Sequence, residues 1–222
     1  STLLGTDQRG QTRSAPGSQD IGAYEVGNTP YLTNYVVKTT ADYNPGSTPV
    51  VANSLRLGLS GLAEAPTNIT FAIPNALKAG GVWTITAATG TTGFTITRGI
   101  TINGASQPGY TAAGGPVIVV DGNAASGGQG SVFYINPGTG PGNLVTLNSL
   151  GITRGTGTNV GVRRGGGIYL ATGQLVVNDS VIHTNTAIAG SGGGIFLRNN
   201  STVTLNRSTL SGNRASLGAG IY

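Results

Sequence analysis

The chain has 222 residues, a formal net charge of +5 and only 9% charged residues, with 39 glycines. It holds no cysteine, which excludes disulfides and thiol chemistry and leaves the redox compartment open. Its basic residues are scattered from Arg9 to Arg214 without interleaved aromatics, so the clustered patch that nucleic-acid binding needs is absent. The arginines read as scattered, solvated side chains, with weak attraction to an acidic surface polysaccharide as the alternative. No basic segment followed by an apolar run marks a signal peptide, and no apolar run approaches the ~20 residues of a membrane span. The chain does not begin with Met, so it is expected to be a processed product or an excerpt of something longer.

Residues 1–34 are rich in Gly, Ser and Pro and show no periodicity. Tyr35 to Thr40 is β-branched and aromatic and reads as a first strand. Around residues 54–63 the strand pattern breaks. Leu55, Leu59 and Leu62 follow helical spacing, with Asn53 or Ser54 placed to cap. This short helix is expected to cover the open end of a sheet stack, because an uncovered edge invites pairing. Asn68 to Ile73 is a strand stopped by Pro74. Val82 to Thr86, Phe94 to Thr97 and Ile100 to Gly104 then alternate Thr with aliphatics at period two.

A repeat organises the rest. Gly165-Gly166-Gly167-Ile168-Tyr169-Leu170 recurs as Gly192-Gly193-Gly194-Ile195-Phe196-Leu197 and as Gly218-Ala219-Gly220-Ile221-Tyr222. Ile168 and Ile195 lie 27 residues apart, Ile195 and Ile221 lie 26 apart. A period in this range marks a stacked repeat architecture. Ser131 to Ile135 aligns with Gly166 to Leu170. Val145 to Asn148 aligns with Leu175 to Asn178 and Val203 to Asn206. Gly151-Ile152, Val181-Ile182 and Thr209-Leu210 form a third register. Short parallel strands cannot bury a face alone, but coils stacked at ~4.8 Å pair each strand with its equivalents. The fold class is therefore all-β: a parallel β-helix over residues 35–222, right-handed by the crossover rule. A β-sandwich fits less well, since it calls for hairpin turns instead of in-register glycine corners. Asn148, Asn178 and Asn206 recur at one strand–turn junction and Asn185 and Asn213 at another, either as turn formers or as hydrogen-bonded ladders.

Three segments carry a family resemblance. Ile100 to Asn103, followed by Ser106-Gln107-Pro108-Gly109-Tyr110 and Pro116 to Gly122, resembles a segment common in secreted bacterial β-helices. Ser54-Leu55-Arg56 ahead of Ile69-Thr70-Phe71 resembles the entry of such proteins. Asp7-Gln8-Arg9-Gly10 with Asp20-Ile21-Gly22-Ala23-Tyr24-Glu25 resembles the segment that closes bacterial surface proteins of the choice-of-anchor Q kind. There it follows a β-helix; here it precedes one. The resemblance implies an extracellular, cell-surface protein, and the inverted order points to a section of a tandem array or to residues 1–34 contacting and completing an adjacent unit, with a flap over the protein's own helix as the structural alternative.

Chemistry is sparse. Parallel β-helices include polysaccharide lyases and glycosidases, which need paired carboxylates or calcium ligands. Of the acidic residues only Asp121 and Asp179 fall in coils, and Asp179 has no acidic companion nearby. His183, the sole histidine, aligns with Thr153 and Ser211 and reads as structural. No catalytic, metal or cofactor residue is expected, and the chain reads as non-enzymatic. The expected partner is a second copy, stacked head to tail into a filament or surface fibre through Ile21, Tyr24, Tyr35, Ile221 and Tyr222. The alternatives are an adhesin or carbohydrate-binding β-helix, using Trp83, Tyr110 or Tyr134, and a fragment of a lyase or glycosidase.

Overall fold

The structure is a computed structural model, and it describes residues 34–46, 48–60, 62, 66–124, 130–140, 142–159, 162–198 and 200–222. It is a parallel β-helix of about five turns. Three sheets run along the axis. The first has six strands: Asn34–Val37 (β1), Asn68–Phe71, Ile100–Asn103, Leu144–Asn148, Gly173–Asn178 and Ser201–Asn206. The second has five: Trp83–Thr86, Ile118–Asp121, Leu150–Thr153, Val181–His183 and Thr209–Ser211. The third has four: Phe94–Ile96, Phe133–Ile135, Ile168–Leu170 and Ile195–Leu197, and a bridge from Ile195 to Ile221 continues it. A smaller parallel pair, Thr186–Ser191 with Arg214–Leu217, fills a corner of the last two turns. No helix among the described residues is long and apolar enough to cross a membrane.

The registers show why alternation in sequence becomes a core. Ile69, Ile102, Leu147, Val177 and Leu205 stack in the first sheet. Ile85, Val120, Ile152, Ile182 and Leu210 stack in the second. Phe94, Phe133, Ile168, Ile195 and Ile221 stack in the third. All but the last member of each column are fully buried. Each such side chain contributes roughly 1.5–3 kcal/mol of burial. The coils offer that gain only when a neighbour is present above and below.

Corners turn through left-handed backbone at equivalent positions. Ser149, Asp179 and Arg207 occupy one such column, and Arg154, Thr184 and Gly212 another. Asp179, Arg207, Arg154 and Thr184 reach solvent there, whereas Ser149 is buried and bonds the Tyr110 hydroxyl. The corner before the third sheet is different. Gly192 has φ +69, and an added Cβ would run into the carbonyl of Ile195. That position admits only glycine.

The helix α1 spans Leu55–Ser60, shorter than the 54–63 expected from leucine spacing. It packs against β1 and against Phe94–Ile96, in the place a third-sheet strand would take in the first turn. Gly58 weakens the helix, so tertiary bonds hold it. Ser54 Oγ accepts from Leu57 N at 3.3 Å at one end. At the other, Arg98 donates to the carbonyls of Leu59 (2.6 Å), Gly58 (2.9 Å) and Pro66 (3.2 Å). Partial burial of this guanidinium lowers its pKa from the ordinary value. Asp42, almost wholly buried, takes Arg56 Nε at 2.8 Å, Arg56 Nη2 at 2.6 Å and Ala88 N at 2.9 Å. Arg56 also donates to Gly93 O at 2.7 Å and lies 4.7 Å over the Phe94 ring. The cap is thus clamped onto the turn beneath it. The segment expected to contact a neighbour, with Ile21 and Tyr24, lies outside the described residues, except that Asn34 belongs to β1.

Candidate functional site

Polar side chains are spent on holding coils together. Asn178 Nδ2 donates to Asn148 Oδ1 at 2.7 Å, and Asn206 Nδ2 donates to Asn178 Oδ1 at 2.8 Å. The amides therefore form a ladder with a direction. Each coil donates to the one before it. Asn68 Nδ2 does the same to Asn34 Oδ1 at 2.7 Å. Asn185 and Asn213 form a second, inner pair at 3.1 Å, with Asn185 fully buried.

Charged groups follow the same logic. Asp121 receives Arg154 Nε at 2.9 and 2.8 Å and bonds Nη2 as well. That hydrogen bond raises the Arg154 pKa. Asp179 receives Arg207 Nε at 2.7 Å and Nη2 at 2.9 Å. The bond to Arg207 holds the Asp179 carboxyl below the usual carboxylate range. Asp42, Asp121 and Asp179 each therefore bind an arginine. Among the described residues, no group of three or more His, Cys, Asp or Glu is assembled for a metal. His183 is half-buried, in register with Thr153 and Ser211, with Nδ1 3.1 Å from Thr184 Oγ1.

The aromatics sort into three environments. Trp83 is fully buried, and its Nε1 donates to Pro74 O at 3.0 Å. Tyr110 is half-buried, and its hydroxyl accepts from Ser149 Oγ at 3.0 Å. Tyr134 is not a core residue. It points outward from the third sheet and begins a column that the strand pattern alone did not reveal. Tyr134, Tyr169, Phe196 and Tyr222 stack at centroid distances of 5.3, 5.3 and 5.6 Å with interplanar angles of 12°, 15° and 11°. Arg164 lies 4.9 Å over the Phe196 ring. The inner rings cover one another's faces, which leaves them no platform for a sugar. The sequence signal was the residue after each repeated Ile: Tyr169, Phe196, Tyr222.

These columns converge on the last coil. Ile221 is 40% exposed, Tyr222 53% and Leu217 55%, although their equivalents one turn earlier are buried or half-buried. Val203, Leu205 and Leu210 are half-buried where Leu175, Val177 and Ile182 are buried. Ser201–Asn206, Thr209–Ser211 and Arg214–Leu217 are edge strands. One coil face thus presents apolar inner positions, open backbone edges and an aromatic ring at the end of a stack.

The opposite end is dressed differently. Tyr35 is partly buried, its ring lies against Gly58, and its hydroxyl is buried without a hydrogen-bond partner among the described residues. Burial pushes the Tyr35 phenol up to about 12, and Tyr43 adds to the shift. Among the described residues, β1 is the edge strand of the first sheet at this end. Compared with known proteins, the chain matches no family model, no curated protein and no solved structure.

Proposed function

We propose that the protein is a non-enzymatic structural element of bacterial cell-surface type, and that copies join head to tail along the β-helix axis into a fibre. The observation that carries this reading is the in-register axial stacking of every coil on the next, in which Ser201–Asn206, Thr209–Ser211 and Arg214–Leu217 are edge strands among the described residues. Such a face is a template for strand addition. A contact between two different ends does not close on itself and extends into a filament. The arginine-bound state of Asp42, Asp121 and Asp179 supports a structural role for the carboxylates. The extracellular location rests on the resemblance of residues 7–25 and 100–122 to secreted surface proteins.

Sedimentation velocity over a concentration series, with negative-stain electron microscopy, tests the reading. Concentration-dependent oligomers and thin filaments are the expected result. A monodisperse monomer at every concentration would overturn it. Incubation with pectin or alginate is expected to release no reducing ends.

A further inference from the structure

The third sheet sets two phenols face to face. Tyr134 and Tyr169 occupy equivalent outward positions on successive coils and are paired in register. Their rings stack with centroids 5.3 Å apart and planes 12° from parallel. Both side chains are half-buried, so part of each ring stays against water. The run of phenols is bounded on both sides. The register puts Thr95 beside Tyr134 and Phe196 beside Tyr169. Phe196 stacks on Tyr169 at 5.3 Å, but it has no hydroxyl, and it separates Tyr169 from Tyr222. Among the described residues no other two tyrosines stack on each other. The Tyr35 ring lies against Gly58, and the Tyr110 hydroxyl is bonded to Ser149.

Such a pair is arranged for one covalent reaction. A phenol that loses an electron and its hydroxyl proton becomes a phenoxyl radical, with spin on the carbons ortho to oxygen. That spin lies in p orbitals perpendicular to the ring. Stacked rings therefore point these lobes at each other, and in-register coils bring equivalent carbons opposite one another. We propose that Tyr134 and Tyr169 form an oxidative crosslinking site, closed to dityrosine by a one-electron oxidant of the haem-peroxidase class working with hydrogen peroxide. Each phenol gives up one electron and one proton, and together they reduce one peroxide to two waters. One Cε–Cε bond forms between the rings. Each joined carbon then loses its hydrogen as a proton, and each phenolic oxygen regains one, which restores both aromatic rings.

The bond staples two neighbouring coils. It closes a loop of 35 residues, which contains an antiparallel hairpin of Thr158–Asn159 with Val162–Arg163. The chain has no cysteine, so no disulfide performs this task. Closing a loop of this kind lowers the entropy of the unfolded chain, as a disulfide does. The stack also favours coupling within one molecule over coupling between molecules, because the partner ring is already held in place. The site does not rest on the head-to-tail reading, since both tyrosines belong to one copy.

The test treats the dilute full chain with a haem peroxidase and hydrogen peroxide. Photolysed tris(bipyridyl)ruthenium with persulfate serves as a second one-electron oxidant that needs no docking. Tyr134→Phe and Tyr169→Phe each remove one phenol and keep the stack, as Phe196 in the same column shows. The expected product is a monomer with dityrosine fluorescence, a mass lower by two hydrogens and a crosslinked peptide joining Tyr134 to Tyr169. Fluorescence should fall about tenfold in either variant, and in the natural chain oxidised while unfolded in urea, where the stack is gone. Tyr43→Phe should leave it unchanged. The coupled chain should melt several degrees higher than the uncoupled one by circular dichroism. Absence of dityrosine, coupling that maps to other tyrosines or mainly to dimers, or full coupling in Tyr169→Phe overturns the site. Coupling at this pair without a rise in melting temperature overturns its role as a staple.

Discussion

Asn185 joins three coils through one amide. Its Oδ1 accepts from Gly155 N at 3.0 Å, and its Nδ2 donates to Ile152 O at 3.0 Å and to Asn213 Oδ1 at 3.1 Å. An Asn185→Ala change leaves the Gly155 amide and the Ile152 carbonyl buried without this partner. Each orphaned group costs about 1–3 kcal/mol, so the variant should lose about 2–4 kcal/mol and melt several degrees lower by circular dichroism. Asn206, exposed and at the end of its ladder, makes one amide bond to the preceding rung. Asn206→Ala should cost no more than about 1 kcal/mol in the same experiment. Two asparagines with the same role in the pattern thus differ in effect because only one is sealed from water.

At the scale of the element, α1 shows a helix that its own sequence cannot sustain. Six residues fall below the length at which a helix holds in water, and Gly58 costs about 1 kcal/mol more than alanine would. Yet alanine is not available there, because a Cβ at Gly58 would strike the Tyr35 ring. The Arg56–Asp42 pair is what clamps the cap, with side chains 6% and 1% exposed. Removing one partner of a buried pair leaves a charge uncompensated. Arg56→Met should therefore destabilise by about 3–5 kcal/mol, and amide exchange should speed up first in residues 34–37 and 55–60. Arg207→Met, which breaks a pair whose arginine is 74% exposed, should leave the melting temperature nearly unchanged.

Across the described residues, each coil pairs only with its neighbours, so stability is close to a sum of nearest-neighbour terms. Ser201–Asn206, Thr209–Ser211 and Arg214–Leu217 pair on one side among the described residues, with apolar surface and strand edges exposed on the other. Ile221 and Tyr222 contribute little to the isolated chain because they are half exposed. A double change, Ile221→Ser with Tyr222→Ala, should leave thermal unfolding almost unaltered. It should also weaken end-to-end association about tenfold or more by sedimentation velocity. Unchanged association with the fold intact would point to a contact elsewhere on the molecule.

Much of this was legible in the linear chain. Period-two alternation and the recurring Gly-Gly-Gly-Ile pattern determined the strands, their parallel stacking and the residue-by-residue register, because one apolar face per strand leaves only one alignment that buries every column. The repeat also placed His183 beside Thr153 and Ser211 and the asparagines in columns. Tertiary structure decided the rest. Whether Asn185 is sealed and Asn206 wet depends on which coil lies above. That Tyr134, Tyr169, Phe196 and Tyr222 cover one another's faces depends on side-chain tilt outside the sheet. The bonds of Arg56 to Asp42 and to the Gly93 carbonyl join positions far apart in sequence, brought together only by the first turn.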